Sequence, residues 1–173
     1  MKKLTTIIHS AIQSIDRRIM NRRAARAIIV RGDEILLMYT AKHHDYSLPG
    51  GGLEKGEDVI SALRRELREE VGASDIVIEE YIGYLDEYRP SPRAKFDVVF
   101  LRSYCYRCAV KEDFTALSLH HREIGNGVKP VWIKLDEAIA HSEAMLAQTP
   151  SQMGISIQRE TWLLKFIRTS MRN

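Results

Sequence analysis

A triple glycine followed by an acid-rich helix places the tightest limit on how this chain folds. The segment "LPGGGLEKGEDVISALRRELREEVGA", Leu48 to Ala73, sets Gly50, Gly51 and Gly52 just ahead of a run with helical apolar spacing. Val59, Ile60, Leu63, Leu67 and Val71 fall on one stripe, so the spacing predicts a helix from about Asp58 to Val71, ended by Gly72. At about 100° per residue, Glu70, Glu66 and Glu69 follow one another around an arc of roughly 100° beside that stripe. Arg64, Arg65 and Arg68 take the far side. Glu66 and Glu70 lie one turn apart, and stacked like charges cost an isolated helix about 0.2–0.5 kcal/mol.

A solvated helix face accounts for Glu69, which has Arg65 four residues before it, but not for the Glu66–Glu70 stack. A hard divalent cation accounts for all three carboxylates, because Mg²⁺ takes oxygen ligands and keeps waters and phosphate oxygens around it. The glycines suit the same purpose. They let the backbone approach a ligand and adopt positive φ, so that carbonyls face a metal while amides meet phosphate.

The rest of the chain reads as one α/β domain behind an N-terminal helix. Leu4, Ile7, Ile8, Ala11, Ile12, Ile15 and Ile19 recur at helical spacing, which predicts an amphipathic helix over residues 1–23, dispensable for chemistry, with the domain proper at 24–173. "ARAIIVRGDEILLMYTA" reads as two strands joined at Arg31-Gly32-Asp33. "SDIVIEEYIGYLDEYR" and "KFDVVFLRSYCYRCAV" read as long strands, separated by a loop at "RPSPR" because proline cannot sit in a central strand. A polar loop follows from Lys111 to Lys129, then the strand "PVWIKL". A helix from Asp136 to about Gln148 comes next, and a last one from Ser156 to Arg168 turns Trp162, Leu163, Phe166 and Ile167 inward.

Charge and cysteine content narrow the function classes. The formal charge of +3 suits an anionic ligand without demanding DNA, since the basic residues are spread along the chain. No apolar run approaches the roughly 18 residues of a membrane span. The opening "MKKLTTIIHSAIQ" is broken by Thr5, Thr6, His9 and Ser10, so a cytoplasmic protein is expected. Cys105 and Cys108 form a C-x-x-C inside a strand-like run, where residues three apart face opposite ways, and no second ligand pair completes a zinc site. His43, His44, His120 and His121 read as loop residues rather than ligands.

Gly51, five residues, Glu57, seven residues, then "RELREEVGA" (Arg65 to Ala73) resembles the Nudix box, the signature of the Nudix hydrolases. It departs only at Ala73, where the family has a larger aliphatic residue, a difference of packing rather than chemistry. The resemblance implies a Nudix-type α/β/α sandwich with a mixed β-sheet. It also implies hydrolysis of a diphosphate bond in a nucleoside diphosphate linked to another group, with Mg²⁺ or, alternatively, Mn²⁺. By position in the box, Glu66, Glu69, Glu70 and the carbonyl of Gly50 look like metal ligands, and Glu57 with Arg65 like a supporting pair. Glu66 is the first choice of general base, with Glu112, Asp113 or Glu123 in reserve.

Substrate choice is less constrained. Tyr84 and Tyr88 would stack a base and Arg89 would hold phosphate, although the aromatics also suit core packing. Pro90 beside Tyr88, with the modest charge, puts nucleoside diphosphate sugars such as ADP-ribose ahead of dinucleoside polyphosphates. A nucleotide sensor without turnover and an RNA 5′ pyrophosphohydrolase are the alternatives, the latter calling for a denser basic surface. The expected partner is a small nucleotide, with neither DNA nor membrane, and a homodimer is compatible with the sequence.

Overall fold

The alternation of buried and exposed residues along the strands divides the interior into two large apolar clusters, one on each side of the sheets, and a small third one at Ala24, Val99 and Leu101. The computed structural model describes residues 2–110, 127–147 and 156–171. Its strands are β1 (Lys3–Ile8), β2 (Ile19–Ile28), β3 (Val30–Arg31), β4 (Glu34–Thr40), β5 (Asp45–Ser47), β6 (Ile76–Pro90), β7 (Val98–Val110) and β8 (Val128–Lys134). Its helices are α1 (Val59–Val71), α2 (Leu135–Ala147) and α3 (Ile157–Met171). One sheet runs β1-β6-β7-β2; the other runs β3-β4-β5, with β8 on the far side of β4. β6 and β7 are antiparallel, whereas β1 on β6 and β2 on β7 are parallel, so the sheet is mixed as expected.

Ala25, Ala27, Leu36 and Met38 pack beneath Leu63, Leu67 and Val71 of α1. Ile28, Ile35, Leu37 and Leu85 pack on the other side against Leu135, Ile139, Leu163 and Leu164 of α2 and α3. The result is the expected α/β/α layering. Leu63 and Leu67 have no exposed surface, and burying each such side chain contributes about 1.5–3 kcal/mol. Asp58 caps α1 by accepting from the amides of Ile60 and Ser61, and Gly72 ends it at φ 72°, in the left-handed region.

The N-terminal helix is a misreading: residues 3–8 form a strand. Thr5, Thr6, Ile7 and Ile8 are consecutive β-branched residues, stiff at χ1 and suited to a pleated surface. β6 offers a free edge, along which β1 pairs from Lys3↔Tyr84 to Ile8↔Tyr88. The supposed apolar stripe is not buried, since Ile8 is 53% and Ile15 43% exposed. β2 runs across the expected boundary at residue 23, and Arg18 anchors its start through two bonds to Asp97, each 3.1 Å. Trimming the chain to Arg23 would therefore remove an edge strand and half of another.

Smaller expectations are adjusted by the same packing. β6 continues through Pro90, which takes the last position of the strand opposite Val98. Cys105 and Cys108 are free thiols in different core clusters, and burial pushes both up to about 12. Among the described residues no three or more His, Cys, Asp or Glu side chains converge on one point as they stand. Residues 111–126 and 148–155, with the loop acids Glu112, Asp113 and Glu123, lie outside the described residues.

Gly83 makes the β1 docking possible. It adopts φ +149°, and a Cβ there would lie 2.6 Å from Leu4 Cδ2 and 2.7 Å from the Lys2 carbonyl oxygen. Gly83→Ala is expected to cost about 1–3 kcal/mol. Urea unfolding checks this, and an unchanged midpoint would show that β1 does not depend on the glycine.

Candidate functional site

The loop from Pro49 to Leu53 runs antiparallel along the free edge of β2. Ala27 N–H donates to the Pro49 carbonyl (2.9 Å), Ala25 N–H to the Gly51 carbonyl (3.0 Å) and Leu53 N–H to the Arg23 carbonyl (3.0 Å). Side chains would prevent this. Gly50 has φ +121°, and a Cβ on it would collide with the Ala25 carbonyl oxygen; a Cβ on Gly51 would collide with the Glu66 carboxylate. The loop therefore lies flat between β2 and α1.

Across that seam stand the box carboxylates. Glu66 and Glu70 are each 8% exposed. Glu70 Oε2 accepts from the Gly50 amide at 2.7 Å. Arg65 binds Glu57 through two bonds of 3.0 Å, and also reaches Glu66 Oε1 (2.9 Å), Glu69 Oε2 (3.3 Å) and the Gly52 carbonyl (3.1 Å). This clamp ties the start of the loop–helix unit to its middle, and it holds the Glu57 carboxyl below the usual range. Burial pushes the Glu66 carboxyl up, opposed by Arg65 and reinforced by the charge of Glu69.

The structure thus brings Gly50, Glu57, Arg65, Glu66 and Glu70 together, with Glu69 joined to them through Arg65. The donor set is oxygen-only and carries a surplus of negative charge in a half-buried place, which is the chemistry a hard divalent cation fits. The triad is not gathered on one point, however, because Glu69 is turned to Arg65 and Glu70 to an amide.

Three features escaped the sequence reading. Arg26 Nη1 donates to the carbonyls of Leu48 (3.1 Å) and Gly50, so a guanidinium occupies the very carbonyl expected to bind metal. The signal was a charged residue at a core-facing position, since Arg26 alternates with Ala25 and Ala27. Second, Arg159 of α3 is 2% exposed and bonds Glu87 Oε2 (2.8 Å) and Glu160 Oε1 (2.9 Å from Nε). Glu160 Oε2 in turn accepts from the Leu48 amide at 3.0 Å, pinning the loop to α3. Of the four α3 residues expected to face inward, Leu163 and Ile167 are buried and Trp162 and Phe166 pack half-buried against the same cluster, which Ile157 and Leu164 extend.

Third, the expected substrate residues do not share a face. Leu85, Glu87 and Arg89 alternate inward, toward α3. Tyr84 and Tyr88 point outward, where their rings meet Tyr104 and Phe100, and Arg102 lies 4.2 Å above Tyr84 while bonding Asp86. Beside them Asn21, Arg22, Arg23, Leu53, Glu54, Phe100, Arg102 and Tyr104 line a cavity of about 430 Å³, next to the first turn of the box.

The NUDIX domain family matches residues 20–153. The chain belongs to the NUDIX family. Curated relatives include RNA pyrophosphohydrolases of Campylobacter jejuni, one 40% identical over 63 residues, which are 34% of this chain and 40% of that protein. Another from the same species is 43% identical over 51 residues, 29% of this chain and 33% of that protein. The chain thus spans well under half the length of the curated relatives it matches. A NUDIX hydrolase from Nitrosomonas europaea superposes with a TM-score of 0.50 at 23% identity, covering 76% of this chain and 82% of that one, which supports the fold. Among the described residues of this NUDIX chain no helix is long and apolar enough to cross a membrane.

The raised Glu66 carboxyl has a measurable consequence. Its folded pKa lies above the ordinary 4.5, so above about pH 4.5 the folded chain binds more protons than the unfolded one, and stability falls as Glu66 ionises. In metal-free buffer Glu66→Gln is expected to melt above the parent at neutral pH, with the gap closing as pH falls below about 4.5. Melting curves at about pH 4 and about pH 7 check the sign. A variant that melts lower at neutral pH would show the Arg65 bond outweighing burial.

Proposed function

We propose that this NUDIX protein is a pyrophosphohydrolase that cleaves the diphosphate linkage of a nucleoside diphosphate derivative. The observation that carries the reading is the Glu66–Glu70 pair, held against the Gly50–Gly51 backbone at the end of the Arg65–Glu57 clamp. A protein that only bound nucleotides would have no use for two repelling carboxylates buried side by side.

In this reading Glu66, Glu69, Glu70 and the Gly50 carbonyl would hold Mg²⁺ or Mn²⁺, which neutralises the diphosphate and lowers the pKa of a bound water. Arg65 and Glu57 keep the carboxylates in place without touching the reacting atoms. Glu66 takes the proton of the water that attacks phosphorus, a role its burial favours by making it a stronger base. The bond from that phosphorus to the bridging oxygen breaks, and the two phosphate products leave. Arg26, released from the Gly50 carbonyl, and Arg89 face the same side and supply positive charge for the phosphates. Tyr84 and Tyr88, on the outer face, are placed to meet a base only if the substrate passes over the β2 edge into the cavity beside Leu53.

Two substrates fit this chemistry. A nucleoside diphosphate sugar such as ADP-ribose agrees with Pro90 and Tyr88. The 5′ end of RNA is favoured by the Campylobacter relatives and by five arginines, Arg17 and Arg18 just before β2 and Arg22, Arg23 and Arg26 along it. A phosphate-release screen with Mg²⁺ across both classes distinguishes them.

Glu69→Gln and Glu70→Gln test the reaction itself. Each removes one charge while keeping shape, and turnover with Mg²⁺ is expected to fall by orders of magnitude, because a metal's electrostatic contribution is worth several kcal/mol. Stability of a surface residue would change by no more than about 0.5 kcal/mol. Near-normal turnover in both variants would sink the proposed metal site.

A further inference from the structure

The inner face of the first sheet carries arginines that make no ion pair among the described residues. β6 and β2 both flank β7, so their backbones stand about 10 Å apart, within the combined reach of two arginine side chains. Arg89 projects from β6, and Arg22 and Arg26 project from β2, on the face that also carries Ala24, Val99 and Leu101. Those three apolar residues, 1–5% exposed, form a floor between the two strands.

Among the described residues, none of the three arginine side chains makes an ion pair, and the Arg89 side chain makes no hydrogen bond. The Nε atoms of Arg26 and Arg89 are buried without a partner. Arg89 is depressed by burial and by the charges of Arg159, Arg26 and Arg22, against the pull of Glu87. Glu87 is itself held by Arg159, which also binds Glu160, so that triad leaves one negative charge against three guanidiniums. Arg26 and Arg89 are half-buried and Arg22 is exposed, so the cost of an unpaired charge in the free protein falls on the first two. A bound anion removes that cost.

The position of the cluster says where such an anion lies. Arg26 holds the Gly50 carbonyl, and a Cβ on Gly52 would meet Arg22 Nη2 at 2.7 Å. The guanidiniums therefore begin at the glycine loop and lead inward along the sheet to Arg89. We propose that Arg22, Arg26 and Arg89 form a cradle for the free terminal phosphate of a nucleoside 5′-polyphosphate, including the 5′-triphosphate end of a nucleic acid. This rests on the hydrolase reading above and selects among its substrates.

Charge decides between the substrates. A diphosphate capped at both ends, as in ADP-ribose, carries one charge per phosphorus and no terminal group. A terminal phosphate carries about −1.5 to −2, with three oxygens open to guanidinium forks. Three unpaired guanidiniums match the second kind.

The test is calorimetric titration of the full chain in metal-free buffer with inorganic tripolyphosphate and, separately, ADP-ribose, together with melting curves. Arg89→Met is expected to weaken tripolyphosphate binding at least tenfold, to weaken ADP-ribose binding by a clearly smaller factor, and to melt at or above the parent because an unpaired, largely buried charge is gone. Arg89→Lys, which keeps the charge but loses the fork, is expected to fall between. Unchanged tripolyphosphate affinity in Arg89→Met, or a lower melting temperature with binding intact, would overturn the cradle and make Arg89 a structural residue. These titrations need no turnover. Arg89-dependent binding in a protein that hydrolyses nothing would overturn the proposed activity and leave the cradle standing, and hydrolysis with Arg89-independent binding would do the reverse.

Discussion

The seating of residues 49–53 along the free edge of β2 is the constraint on which the rest depends. Three backbone hydrogen bonds fix the loop there, and they require that Gly50 adopt φ +121° with no Cβ to strike Ala25. Once the loop is seated, α1 must follow at the distance that Asp58 and the Arg65–Glu57 clamp allow. Its apolar stripe then falls on Ala25, Ala27 and Met38, and its carboxylates fall on Gly50 and Gly51. Packing and chemistry are therefore set by one event: a helix cannot bury Leu63 and Leu67 without also delivering Glu66 and Glu70 to the loop.

That unit was legible because every signal in it is local. The stripe, the cap at Asp58, the stop at Gly72 and the clamp spacing all lie within some 25 residues and agree with one another. What depended on distant partners was not legible. Six residues of β1 satisfy helical and strand periodicity about equally, and only the open edge of β6 decides between them. The Arg159–Glu87–Glu160 triad joins positions 72 residues apart and turns charged side chains of α3 inward, against any apolar-stripe rule. The separation of Tyr84 and Tyr88 from Arg89 follows from strand parity alone and could have been read in advance.

The pinning of Leu48 by Glu160 shows how the second helical layer contributes to a site it does not touch. α3 reaches through the core with two charges that are satisfied only in one arrangement, because moving Arg159 would strand Glu87 as well. Apolar residues alone would hold α3 with less directional demand. The ion triad fixes both the register of α3 and the height of the loop start, and so the position from which Gly50 begins.

The site finally has to keep opposite charges apart. Carboxylates on α1 and guanidiniums on β2 and β6 face one another across the glycine loop, and nothing in simple electrostatics prevents their collapse into ion pairs. The backbone of Gly50 prevents it. Its amide holds the Glu70 carboxylate and its carbonyl holds the Arg26 guanidinium, so one residue keeps a negative and a positive group on opposite sides of itself. A side chain at this position would remove the loop from the β2 edge and let the two halves neutralise each other. Each half would then lose its surplus charge. A glycine at position 50 thus serves electrostatics as much as conformation: it holds a carboxylate on its amide and a guanidinium on its carbonyl, on opposite sides of one residue.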